Sequence, residues 1–495
     1  MPMPTSFHLL VLLPTIILTV GACVLLLSEV FLTRKERGYQ AWVAGGSALL
    51  AFFAALALVD GTSPAGPILK GAVRGDAFQA FIGATVCAGL FLSILVSAGF
   101  LRRLESERGE YYALLLFAGA GMLLLAMSND LVMIFIALET MSVATYALAA
   151  YLRRGARPTE AAFKYFILGA FSSALYLYGA ALAYGATGST GLSEIAVALG
   201  QARSSSLLAP AIGLLTVGFA FKVAAVPFHM WAPDVYEGSP TPVTAFMAVG
   251  VKAAAFAAFF RVIAVAFGSS PEKWGPIVSA LAILTMLVGN LVALPQRNVK
   301  RMLAYSSIAH AGYILVALAS SAGASAAART AAGQGILFYL AAYTVSAVGA
   351  FGIASVLERK DSDSATAWDL DRFAGLGRRR PVLALFMAVF MLSLAGIPAT
   401  AGFMGKLLIF RAALDAGQIG LAIFGIITSA MGAYYYLRVV VTMYFRNPVA
   451  EAALENEASG VDWGVAIACA LVFVLGLGPN AIAEAARRGA QILVG

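Results

Sequence analysis

The chain has 495 residues, 61% hydrophobic and 12% charged, with a mean hydropathy of +0.87. Soluble domains carry about 25% charged residues, so this composition excludes a soluble globular protein. The net charge of +8 reads as the Lys/Arg excess that fixes the cytoplasmic loops of a membrane protein, not as a nucleic-acid surface.

Spanning the hydrocarbon core takes about 20 apolar residues. On that measure the sequence predicts an all-α polytopic membrane protein with roughly fourteen transmembrane helices. They are expected near 7–32, 41–59, 78–101, 111–128, 131–152, 161–187, 207–230, 241–267, 275–294, 301–320, 331–357, 381–412, 418–445 and 462–483. The first run lacks a basic n-region and is too long for a signal h-region, so it reads as a membrane helix. A turn at Asn129-Asp130 separates the fourth helix from the fifth. Cys23, Cys87 and Cys469 lie in separate apolar runs without a CxxC or Cys/His cluster, so no zinc or iron–sulfur site is expected. Gly119-Ala120-Gly121 sits inside an apolar helix with no preceding strand and is not a nucleotide fingerprint.

Basic residues orient the set. Loops after odd-numbered helices hold 19 Lys and Arg, among them Arg34, Arg102, Arg153, Arg297, Arg359 and Arg446, against 7 on the other side. The richer side is expected in the cytoplasm, which places both termini in the periplasm. Arg261, Arg411 and Arg438 lie toward helix ends and Lys164 one turn into its helix, positions from which long side chains snorkel. Lys222, Lys252 and Lys406 lie deeper, and among the acids only Glu139 is deep in a span, with Glu29 near the end of the first helix. Lys252 is roughly 16 Å past Thr241 and Glu139 roughly 12 Å past Leu131 at 1.5 Å per residue. His310 lies at a similar depth. Each charge at mid-bilayer costs at least about 2.5–3.5 kcal/mol, so these residues must face a polar interior and carry function.

Two of the lysines lie beside expected helix breaks. Pro227 follows Lys222 by five residues, and Ala395-Gly396-Ile397-Pro398 precedes Lys406, with Gly402 and Gly405 between. Carbonyls freed there must be re-satisfied by side chains or water. With residues 1–110 as three leading helices, 111–267 and 268–446 form two five-helix units and 447–495 holds the last helix. The breaks then fall on the fourth helix of each unit, and five helices per unit insert the second upside down, a pattern of ion-transporting inverted repeats. Lysine suits proton transfer because burial disfavours its charge and a carboxylate restores it, so a Glu139–Lys222 pair is expected to hold and then release a proton. No carboxylate–hydroxyl cage for Na⁺ is visible, which favours H⁺.

The segment Pro227-Phe228-His229-Met230-Trp231-Ala232-Pro233-Asp234-Val235-Tyr236-Glu237-Gly238-Ser239-Pro240, continuing to Phe246, strongly resembles the signature of the subunit N family of bacterial NADH–quinone oxidoreductase, respiratory complex I. Leu138–Ser142, Ser306–Tyr313 and Gly396–Lys406 resemble its other motifs in the same order. The resemblance implies an antiporter-like proton-translocating subunit. Glu139 and Lys222 match the family's fifth- and seventh-helix ion pair, Lys252 its eighth-helix lysine and Lys406 its terminal twelfth-helix lysine. Lys406 stands where the M-type subunit typically has Glu, and the L-type is longer and ends in a lateral helix, whereas this sequence stops soon after its last expected span. The resemblance further implies a bacterial inner-membrane location. Its expected partners are an M-type subunit, small membrane subunits and lipid, with NADH, FMN, iron–sulfur clusters and quinone on partner subunits and no redox site or metal on this chain.

Three residues keep two readings each. His229 either links the interior to the cytoplasmic side or caps the break; His310 either extends the relay between Lys252 and Lys406 or is a core histidine; Lys164 either modulates Glu139 or anchors its helix at the surface. The loop Glu358–Arg380 is open to a neighbouring subunit, though its arginines satisfy the orientation rule. The alternative functions are a multisubunit Na⁺/H⁺ antiporter and an energy-converting hydrogenase.

Overall fold

The structure is a computed structural model that describes residues 5–32, 38–59, 66–152, 156–201, 205–323, 325–357, 368–447 and 459–494. Arg34, Lys35, Arg37, Arg153, Arg154, Arg203, Arg359 and Lys360, which entered the orientation argument, lie outside the described residues, as does the first part of the Glu358–Arg380 loop.

Helices account for nearly all of it, because long apolar runs satisfy every backbone group internally. The leading helices are α1 (Thr5–Phe31), α2 (Gly38–Val59) and α3 (Ala77–Arg103). They are followed by α4 (Gly109–Met127), α5 (Leu131–Ala149), α6 (Ala156–Thr187), the short α7 (Leu192–Gly200) and α8 (Leu208–Lys222). Helices α9 (Trp231–Gly238), α10 (Thr241–Phe246), α11 (Lys252–Arg261), α12 (Pro271–Ala293), α13 (Val299–Ser320) and α14 (Ala326–Val356) form the centre. The chain closes with α15 (Leu376–Arg379), α16 (Pro381–Ala395), α17 (Ala401–Asp415), α18 (Ile419–Phe445), α19 (Ser459–Leu477) and α20 (Asn480–Val494).

Capping residues set several boundaries. Asp130 accepts from the amides of Val132 and Met133 at 2.8 and 3.1 Å, which makes Asn129-Asp130 the expected turn and the start of α5. Asp76, Asn298 and Ser325 cap α3, α13 and α14 in the same way.

The helix count differs from the expected fourteen. Among the described residues eleven helices are long and apolar enough to cross a membrane, and twelve if the bent pair α19–α20 is one span. The expected spans 207–230 and 381–412 are each divided, leaving α8 and α16 at 15 residues, too short to cross alone. The chain also departs from purely helical at β1 (Gly66–Ile68) and β2 (Val73–Gly75), a two-stranded antiparallel hairpin with Pro67 opposite Arg74. Helix α20, bent 79° from the preceding helix, starts near the end of the expected span 462–483 and runs on where no helix is expected. Its charged face and Gly478-Pro479 separate it.

Helices α13, α14 and α3 are buried almost all round, whereas α1, α2, α6 and α18 leave large apolar side chains exposed, as lipid-facing helices do. The deep polar groups gather around the buried helices.

Candidate functional site

The first helix break begins at Lys222, the last residue of α8. Ala224, at φ 58°, breaks the helix, and the amides of Ala224 and Ala225 close on the Phe221 and Ala220 carbonyls at 3.0 and 2.8 Å. Thr285 on α12 accepts from the Val226 amide at 2.9 Å, and the Trp231 indole donates to the Phe221 carbonyl at 3.0 Å. The freed backbone is thus satisfied by side chains, as a break inside a membrane requires.

Lys222 is 3% exposed. Its Nζ donates to Ser142 Oγ at 2.8 Å and to the Tyr146 hydroxyl at 3.3 Å. Glu139 accepts instead from Ser173 Oγ on α6 at 2.5 Å, and no ion pair links Glu139 to Lys222 among the described residues. In this structure Glu139 and Lys222 are therefore near each other along α5 without touching. Ser142 lies three residues beyond Glu139 on the same helix face, so the lysine meets α5 one turn further along.

The second break places Gly396 at φ 86° as the C-cap of α16. A Cβ on Gly396 would lie 2.9 Å from Lys406 Cδ, so glycine serves both the turn and the close approach of the lysine. Lys406 Nζ donates to the carbonyls of Leu394 and Ala395 at 2.9 and 2.8 Å and to Ser429 Oγ at 2.8 Å. A cation there also meets the negative end of the α16 dipole.

Between the breaks, Thr241 to Ala266 is one long helical path with two wide i→i+5 turns, Met247–Val251 and Val262–Ala266. The first ends at Lys252, which is 2% exposed. Such turns often mark functional positions in helices. Lys252 Nζ donates to both the carbonyl and the hydroxyl of Ser307 on α13 and lies 5.6 Å from the Tyr343 ring centre. One turn along α13, His310 has a tyrosine hydroxyl at each ring nitrogen: Tyr339 at 2.5 Å from Nδ1 and Tyr436 at 2.8 Å from Nε2. Tyr436 also bonds Ser306. Tyr313 places its ring 5.2 Å from Lys406 Nζ, and its hydroxyl accepts from Asn290 at 3.2 Å.

The structure thus brings Lys252, His310 and Lys406 around one tyrosine- and serine-rich interior, with Glu139 and Lys222 in a second cluster. Among the described residues no direct hydrogen bond joins the two clusters. Lys164 pairs with Glu160 at 2.6 Å and Asp234 at 2.9 Å, and among the described residues no ion pair joins it to Glu139. His229 is half-buried between the break and α9, where its carbonyl accepts from the Ala232 amide at 2.9 Å. Among the described residues no hydrogen bond joins its ring to the buried lysines.

Arg261 is a correction. It does not snorkel; its side chain is 0% exposed and grips Asp76 with bonds of 2.7 and 3.0 Å. Asp76, just outside the predicted span, is therefore a buried acid, whereas Glu139 is only partly buried. Arg438 reaches the carbonyls of Leu294 and Gln296 and caps the end of α12. The hydroxyl partners were also missed, although Ser142 and Ser307 sit three residues from Glu139 and His310, a helical spacing that marks a shared face.

The family model described as NADH:quinone oxidoreductase/Mrp antiporter, TM, matches residues 128–432, which contain both breaks and all four deep charges. A relative from Myxococcus xanthus, NADH-quinone oxidoreductase subunit N, is 56% identical over 95% of each chain. The chain belongs to the NADH-quinone oxidoreductase subunit N family. A second family member, from Trichlorobacter lovleyi, is 43% identical over 99% of this chain and 98% of its own. A chain of respiratory complex I from Thermus thermophilus superposes with a TM-score of 0.78 at 37% identity, covering 95% of this chain and 98% of that one. The Mrp complex from Dietzia sp. contains a chain with a TM-score of 0.84 at 22% identity, covering 99% and 98%, a likeness of fold. The antiporter-like fold is common to both assemblies, whereas the subunit N family is set by sequence.

Proposed function

We propose that this chain is the proton-translocating subunit N of a bacterial NADH–quinone oxidoreductase, and that Glu139, Lys222, Lys252, His310 and Lys406 carry the proton. The observation that carries the reading is Lys406, a buried lysine held by two carbonyls and a serine at a broken helix end, facing the same tyrosine-lined interior as His310. A lysine there has hydrogen-bond acceptors for its charged form at the end of a broken helix, inside the protein, which suits a group that binds and releases a proton.

Ser142 and Tyr146 give the Lys222 ammonium acceptors, while Glu139, one turn away, supplies negative charge without contact. Weakening that field when Glu139 moves or gains a proton favours transfer from Lys222 toward Lys252. From Lys252 the route runs by Ser307, His310 and its two tyrosines to Lys406, and thence to the periplasm. Each broken pair, α8–α9 and α16–α17, counts as one span in this reading, which gives about fourteen spans with two inverted five-helix units. Residues 111–267 and 268–446 are those units, after a leading 1–110 and before a closing 447–495. The termini lie in the periplasm. The redox work, with NADH, FMN, iron–sulfur clusters and quinone, belongs to partner subunits, and an M-type subunit and small membrane subunits flank this chain. Identity to subunit N relatives of 43% and 56% favours this reading over an Na⁺/H⁺ antiporter or a hydrogenase subunit.

The test is the proton-to-electron ratio of the assembled complex in sealed vesicles. Lys222→Ala and Lys406→Ala are expected to lower it while NADH oxidation by an artificial acceptor persists. An unchanged ratio in both would overturn the relay.

A further inference from the structure

Lys222 is covered on one side by an aromatic stack. Tyr146, whose hydroxyl accepts from Lys222, meets Tyr165 edge-on at 4.6 Å, and Tyr165 lies flat on Trp231 at 4.7 Å and 12°. Trp231 is tilted against Phe221 at 5.4 Å and bonds the Phe221 carbonyl, the residue just before Lys222. Trp231 and Tyr165 are almost wholly buried, whereas Met230 beside Trp231 is exposed, so the stack lies between the lysine and the outside of the protein.

The residues that bear the stack also bear ions. Tyr165 is next to Lys164 on α6, and Trp231 is one turn before Asp234 on α9. Asp234 bridges Lys164 at 2.9 Å and Arg301 at 3.0 Å. Arg301 extends to Glu237 at 2.7 Å, and Glu237 accepts from Asn298 at 3.0 Å. The short α9 is thereby tied on one side to α6 and on the other to α13, the helix that carries Ser307 and His310. A helix of eight residues with a break before it and a proline turn after it has little stability of its own. Its position depends on these ties.

We propose that the Asp234–Lys164–Arg301 cluster is an ionic latch that holds α9, and with it the Trp231–Tyr165 stack, closed over Lys222. Asp234 is then a positioning residue that controls aqueous access to the first lysine of the relay. Two layers divide the work: the ions fix where α9 sits, and the rings exclude water from Lys222. Because Arg301 belongs to α13, displacement of that helix when Lys252 or His310 changes charge reaches the latch directly. Access and onward transfer would then alternate.

The consequence for pumping rests on the relay reading; the holding of α9 does not, and one experiment separates them. Hydrogen–deuterium exchange on the intact complex reads the amides of 223–236, while proton-to-electron ratios are measured in vesicles from the same preparation. Asp234→Asn is expected to raise exchange in 223–236 several-fold, leave α12 unchanged and lower the ratio. Asp234→Glu is expected to recover both. Lys164→Gln removes one tie at the exposed edge and keeps the Arg301–Glu237 pair, so it is expected to give the same changes, smaller, should Asp234→Asn fail to assemble. Exchange unchanged in both Asp234→Asn and Lys164→Gln overturns the latch. Raised exchange with an unchanged ratio overturns its control of access, provided Lys222→Ala lowers the ratio; if Lys222→Ala does not, the relay itself has failed.

Discussion

Lys406 combines two tasks that substitution can separate. As a donor it satisfies the Leu394 and Ala395 carbonyls freed by the break; as a base it must be able to lose its proton. A guanidinium keeps the donors but does not deprotonate in proteins. Lys406→Arg is therefore expected to preserve assembly and abolish this subunit's share of the pumped protons, whereas Lys406→Ala loses both the share and part of the assembled yield. Equal pumping by the Arg variant and the native complex would exclude proton release at Lys406. Gly396 supports the same site through its backbone. Gly396→Ala forces a side chain into a left-handed conformation, at about 1–2 kcal/mol, and brings its Cβ to 2.9 Å from Lys406 Cδ. A lower melting temperature of the complex together with a reduced proton-to-electron ratio is the expected result. At this scale the sequence was informative where chemistry is costly. Lys222, Lys252, Lys406 and Glu139 stood out because charge is rare in apolar runs. Ser142, Ser173 and Ser307, which satisfy those charges, did not, since hydroxyls are common in membrane helices and nothing in composition separates a partner from a bystander.

Among the elements, both helix breaks were legible from proline and glycine, and so was the re-satisfaction of carbonyls they demand. Which group would supply it was not: a tryptophan from α9 in one case and the lysine itself in the other. The wide turns flanking α11 leave no mark in its apolar pattern, because an inserted residue shifts a face only in a helix that has distinct faces.

For the whole molecule, the pair Arg261–Asp76 joins segments far apart in sequence. Asp76 caps α3 through Gln79, accepts hydrogen bonds from the two terminal guanidinium nitrogens of Arg261, and lies 3.8 Å from Arg74 of the hairpin. Arg261 also donates to the Ala126 carbonyl near the end of α4 at 3.1 Å and lies over the Phe78 ring at 5.1 Å. One guanidinium therefore fixes α3, α4 and the end of α11, nine residues from Lys252. Removing one member of a buried ion pair strands the other charge and costs about 3–5 kcal/mol, whereas replacing both by apolar groups of similar volume is often neutral. Arg261→Met alone and Asp76→Leu alone are each expected to lower the melting temperature of the complex strongly. The double substitution should recover much of the loss but not all, because the cap on Gln79 and the bond to Ala126 go with it. If the pair serves only packing, the recovered double variant pumps normally. If it also holds α11 in register with Ser307, the double variant is stable yet keeps a reduced proton-to-electron ratio, and the placement of Lys252 by α11, next to its wide turn, favours that second outcome.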